Sequence, residues 1–94
     1  MEQKDQVEII KLKIKNEKEY LKELIELKEK ARKEFEECLA ENYSSKLTVY
    51  KSAILNVSRQ YLRLSTIIEV ACALDLISSI EFAKLSSEIS GLVF

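Results

Sequence analysis

The sequence predicts an all-α protein: a long antiparallel helical hairpin plus a short third helix, assembled as an oligomeric helical bundle. Three observations predict it. There is no proline and a single glycine, Gly91, an economy that helices tolerate and a meander of tight turns does not. Apolar residues recur at spacings of three, four and seven, the period of a helix face. Two of the predicted helices are apolar on opposite sides, and three helices in one chain have too little surface to cover both.

The first helix is expected over about residues 6–41. Its stripe runs through Val7, Ile10, Ile14, Leu21, Leu24, Ile25, Ala31, Phe35, Cys38 and Leu39. Its opening raises a conflict. From Ile10 to Lys15 apolar and basic residues alternate as in a half-buried strand, and Asn16 with Glu19 could cap a helix starting afterwards. A strand there needs a partner, and only "KLTVY" (Lys46 to Tyr50) resembles one. That stretch flows into the strongest helical pattern in the chain, so a continuous first helix is the better reading. On it, Val7, Ile10 and Ile14 share one side, while Ile9, Leu12, Tyr20 and Leu27 lie nearly opposite. A helix of that kind sits between two partners.

"ENYSS" (Glu41 to Ser45) closes the first helix: Asn42 suits a left-handed terminus, and Ser44 or Ser45 suits the next N-cap. The second helix, about 46–75, carries Tyr50, Ile54, Val57, Tyr61, Leu64, Ile68 and Ala71, with gaps alternating between four and three. The third, about 79–90, opens on Ser78 and Glu81 as a capping box, with Ile77 and Phe82 placed as a hydrophobic staple. Leu85 and Ile89 continue its stripe, and Gly91 is a natural stop. The whole chain reads as one helical domain, 1–94.

Length argues separately for assembly. A first helix of that span extends about 54 Å, against a diameter of roughly 32 Å for a compact domain of this size. The overhang and the two-sided helices point to self-association, a dimer being favoured, through a face that includes Ile9, Leu12, Leu62 and Val70. In a hairpin turning near Ser44, Cys38 and Cys72 fall roughly 33 Å apart, too far for a disulfide within one chain.

Composition narrows the function classes. Histidine is absent, which removes the commonest general base and metal ligand. Cys38 and Cys72 fall on apolar faces with no activating base, so they read as small buried hydrophobes. Carboxylate pairs such as Glu36–Glu37 or Glu26–Glu29 sit among lysines, where solvated ion pairing is the plain reading. No enzyme, cofactor or metal site is expected. The net charge of −1 gives no global pull toward nucleic acid or anionic membrane. The apolar run Leu64 to Ile80 is interrupted by Glu69 and Asp75, so no membrane span is expected. The N-terminus is too charged for a signal peptide, and a reducing cytosol is the expected location.

The plan of one long and two shorter helices is similar to that of the helical chorismate mutases. Those enzymes clamp a dianion with arginines on several helices. Here Arg32, Arg59 and Arg63 are the only arginines, and the arginine-rich first-helix pattern is missing, so no site carries over.

One charged pattern has interpretable geometry. Lys11, Lys15, Lys18 and Lys22, spaced four, three and four, align as a ridge that could meet an anionic ligand. The competing reading is a solvated face neutralised by Glu8, Glu19 and Glu26. Arg59 and Arg63, flanking Tyr61, are expected level with Glu29 and Glu23–Glu26. The function expected is a non-enzymatic, oligomeric interaction module (adaptor, assembly subunit or small inhibitor) that binds another macromolecule through helix faces, a protein being the expected partner. Tyr20, Tyr43 and Tyr50 would anchor its rim. The alternative is a nucleic-acid or nucleotide binder using the lysine ridge.

Overall fold

A computed structural model describes Gln3 to Phe94. It comprises α1 (Gln3–Glu36), a 3-10 turn (Ala40–Asn42), α2 (Tyr43–Ala73) and α3 (Ser79–Val93). No strand occurs among the described residues. The long hairpin with a short third helix is therefore the architecture, and the alternating opening is helical. α1 runs unbroken through Asn16, which caps nothing. As a helix the alternating run divides its apolar residues. Ile14 is buried and Ile10 packs against the core, whereas Ile9 and Leu12 stay more than half exposed.

The core is one cluster. Ile14, Leu21 and Leu24 of α1 meet Val57, Leu64, Ile68 and Ala71 of α2, and Ile77 and Ile89 close it from the third helix and the loop before it. Among the described residues a single polar side chain is buried, Gln60. Its Nε2 donates to the Glu17 carbonyl at 2.9 Å and to the Glu17 carboxylate at 2.6 Å. Both partners satisfy a donor that would otherwise cost free energy in the interior.

The corner differs from expectation. α1 ends at Glu36 rather than near residue 41, and α2 begins at Tyr43 rather than 46. Main-chain bonds close the exit, from Glu37 N–H to the Lys33 carbonyl (3.0 Å) and from Asn42 N–H to the Leu39 carbonyl (2.9 Å). Asn42 has φ −102°, so it is not left-handed, and its side chain caps nothing. Ser44 and Ser45 lie inside the first turn of α2. An aromatic cluster pins this corner. The Phe35 ring centroid is 5.2 Å from that of Tyr43 and 5.9 Å from that of Tyr50, distances at which such rings attract.

An earlier corner shifts the hairpin register. Arg63 pairs with Glu17 at 3.3 Å and Lys46 with Glu34 at 3.6 Å. Arg63 therefore lies roughly two helical turns from its expected partners Glu23–Glu26, and Arg59 has no ion pair among the described residues. Cys38 sits at the corner and Cys72 in the last turn of α2, both as free thiols.

Between α2 and α3 the chain turns at Asp75, whose φ of 59° is the one positive value at a non-glycine residue among those described. Asp75 N–H donates to the Cys72 carbonyl (3.0 Å) and Leu76 N–H to the Ala71 carbonyl (2.9 Å). This is a Schellman ending with aspartate where glycine is usual. Gly91, by contrast, is not a stop: α3 runs through it to Val93 with no positive φ at the glycine.

α3 starts as its sequence predicts. Ser78 Oγ accepts from Glu81 N–H at 3.1 Å, and Ile77 is buried beside Phe82. The helix runs parallel to α1, tied by Lys11–Glu81 (3.7 Å) and Lys18–Glu88 (2.6 Å). Its end reaches Tyr61, where the Phe94 ring meets the tyrosine edge-on at 5.5 Å. α3 thus covers only the half of the hairpin remote from the corner. The molecule measures 58 × 23 × 15 Å with a radius of gyration of 16.9 Å, well beyond the about 12 Å of a compact domain this size.

Candidate interaction faces

The lysine ridge and the apolar stripe lie on different sides of α1. On the side of α3, Lys11 and Lys18 meet Glu81 and Glu88, and Lys22 pairs with Glu19 at 3.6 Å. The hydrogen bond from Lys18, then its charge, holds the Glu88 carboxyl below its ordinary range. Only Lys15 of the ridge has no ion pair among the described residues. It lines a groove of about 410 Å³ between α1 and α3, together with Ile14, Ile77, Lys84 and Leu85. The carboxylates that neutralise the ridge come largely from α3, brought there by the packing of that helix on the hairpin.

On the other side of α1, Ile9, Leu12, Tyr20 and Leu27 form an exposed stripe. Beside it on α2 lie Val49, Val70 and Leu74, each at least half exposed. Near the corner this face opens into a groove of about 450 Å³, with Leu27 and Val49 on its walls and Leu24, Ala31 and Ala53 below. Small side chains at Ala31 and Ala53 make the hollow. Leu62, 64% exposed, sits instead on the outer edge of α2 with Leu55, so it is set apart from Ile9, Leu12 and Val70.

A polar belt crosses the middle of this face. Tyr20, Asn56, Arg59 and Arg63 line it above Gln60. The Gln60 amide is the main influence holding the Glu17 carboxyl below its ordinary range; burial opposes it, and the charges of Arg63 and Lys13 add to it. Of the three tyrosines expected as anchors, Tyr43 and Tyr50 are engaged with Phe35 at the corner. Tyr20 alone lies on the stripe.

Sequence reasoning missed three features. The aromatic corner was signalled by Phe35, Tyr43 and Tyr50 flanking one break. Gln60 was signalled by a polar residue in phase with Val57 and Leu64. The left-handed position at Asp75 carried no signal beyond the end of the helical pattern. Among the described residues no group of three or more histidine, cysteine or acidic side chains is placed to hold a metal ion. None of the described helices is long and apolar enough to cross a membrane. Set against protein-family models, curated proteins and solved structures, the chain finds no match in any of the three.

Proposed function

We propose that the protein is a non-enzymatic, oligomeric helical interaction module, working in the cytosol as an adaptor, assembly subunit or small inhibitor that docks on another protein. The observation that supports this reading is the exposed stripe Ile9, Leu12, Tyr20 and Leu27 on a ribbon only 15 Å thick. Large apolar side chains aligned along one face mark a contact surface. The engagement of Lys11 and Lys18 by α3 leaves less free charge for the nucleic-acid alternative.

Capture from host extract at low and high salt tests the choice. Wild-type protein should retain a protein partner at high salt, and the double variant Ile9→Lys, Leu12→Lys should lose it. Retention of nucleic acid alone, eluting with salt and lost in Lys15→Glu, would replace this reading with the alternative.

A further inference from the structure

We infer that the groove between α1 and α3 binds a small amphiphilic carboxylate, with its head between Lys15 and Lys84 and its apolar body on Ile14, Ile77 and Leu85. The site lies on the other side of α1 from the exposed stripe and stands independently of the interaction-module reading.

Register assembles it. α1 and α3 run parallel, joined by Lys11–Glu81 at 3.7 Å and Lys18–Glu88 at 2.6 Å. Both pairs have the same offset in sequence, so between them Lys15 falls level with Leu85, and Lys84 with Ile14. The two pairs close off a stretch about 10 Å long, measured along either helix. Its floor is apolar: Ile14 and Ile77 are at most 5% exposed, and Leu85 packs against the same core. The volume of about 410 Å³ falls within the about 300–1,000 Å³ of small-molecule sites, which join an apolar lining to a few polar groups.

Charge names the ligand. Lys15 and Lys84, one from each helix, line this groove, and neither has an ion pair among the described residues. The carboxylates around them are engaged elsewhere. Glu81 is held by Lys11, Glu88 by Lys18, and Glu19 by Lys22, which lies outside the groove. Two ammonium groups are left over an apolar floor without a counter-ion. A carboxylate supplies that counter-ion through charge-assisted hydrogen bonds, and a hydrocarbon body covers the floor. No arginine lines the groove, so no forked donor favours a phosphate head. A polyanion fits poorly, because Glu81 and Glu88 flank the two free cations and repel its further charges.

The test is an amide NMR titration of the full chain with monomeric octanoate. Saturable shifts are expected at Ile14, Lys15, Lys84 and Leu85, with affinity falling as salt rises. Lys15 and Lys84 are exposed, so Lys15→Gln with Lys84→Gln should keep its helical circular dichroism and bind about tenfold more weakly. Lys33→Gln with Lys51→Gln makes the same change in net charge outside the groove and should leave binding unchanged. Acetate, which lacks the body, and octanol, which lacks the head, should each bind at least about tenfold more weakly. Equal weakening by the Lys33, Lys51 variant would reduce the attraction to overall charge and overturn the site. Shifts centred on Ile9 and Leu12, lost in Ile9→Lys with Leu12→Lys, would move the amphiphile to the exposed stripe. The absence of any shift at millimolar octanoate would overturn the site outright. The capture experiment judges the interaction module separately in every case.

Discussion

The half of the molecule under α3 and the half toward the corner are built from the same two helices, yet they are held in different ways. Under α3, Leu21, Leu64, Ile68 and Ile89 are at most 2% exposed, because three helices surround them. Toward the corner, where two helices meet alone, the one side chain of α1 that they bury is the small Ala31. There the chain relies on small or half-covered residues such as Ala31 and Ala53, the Phe35–Tyr43–Tyr50 cluster, and exposed pairs such as Arg32 with Glu29 and Glu36. Solvent-exposed pairs contribute little. The difference teaches that the free energy of this fold is concentrated at one end, and that the other end has surface left over for a partner.

The largest break of that contrast should come from Leu64→Ala, which empties the centre of the covered half. A loss of about 3–4 kcal/mol is expected, a large share of the 5–15 kcal/mol typical of a small domain. Leu27→Ala in the corner half should cost under about 0.5 kcal/mol in the isolated chain. Urea unfolding monitored by circular dichroism checks both, and equal costs would erase the distinction.

Next in size is the buried amide. Gln60→Leu removes the donor to Glu17 and should cost about 1–3 kcal/mol, read as a lower urea midpoint. The same contact sets an acid response. The Glu17 carboxyl is held below its ordinary value of 4.5, so its ionised form is favoured by folding. Its contribution is present above that value and is lost as pH falls through the lower folded one. Wild-type stability should therefore fall more steeply below pH 4.5 than that of Glu17→Gln, a comparison made by thermal melts across acidic pH.

Smaller effects sharpen the account of α3. Ser78→Ala removes the cap on Glu81 N–H and should cost about 1 kcal/mol. Amide exchange should then rise in α3 before the corner half responds. At the last turn, Gly91→Ala should stabilise by about 0.5–1 kcal/mol, since an added Cβ meets nothing within 4 Å. Asp75→Gly should raise the melting temperature by a few degrees by relieving the left-handed aspartate. A melting temperature lowered by Gly91→Ala would show that the glycine ends the helix after all.

Much of this was legible locally. Helix periodicity separates Ile10, Ile14 and Leu21, which the core takes, from Ile9, Leu12, Tyr20 and Leu27, which it leaves out. The Ser78 cap and the Ile77–Phe82 staple are likewise local, because their bonds span three to five residues. The alternation at Ile10–Lys15 misleads only until one asks what would pair with it; a helix satisfies its own backbone and needs no neighbour.

Other features were decided by contacts between residues far apart in the chain. The corner has neither glycine nor proline to mark it, so its position depends on which aromatic rings meet and on main-chain bonds that close the exit from α1. Moving it changed every pairing across the hairpin, and Arg63 found Glu17. The lysine ridge is visible as a spacing, but spacing does not say whether a carboxylate will come to meet it. Packing of Ile77, Leu85 and Ile89 against the hairpin brought Glu81 and Glu88 there. By itself the sequence determined the helices and the two apolar sides of α1, since those follow from a period of 3.6 residues. Only the tertiary structure decided the register, the side that α3 covers and the side left open, since each is the outcome of competition among apolar surfaces for a third helix that can cover just one.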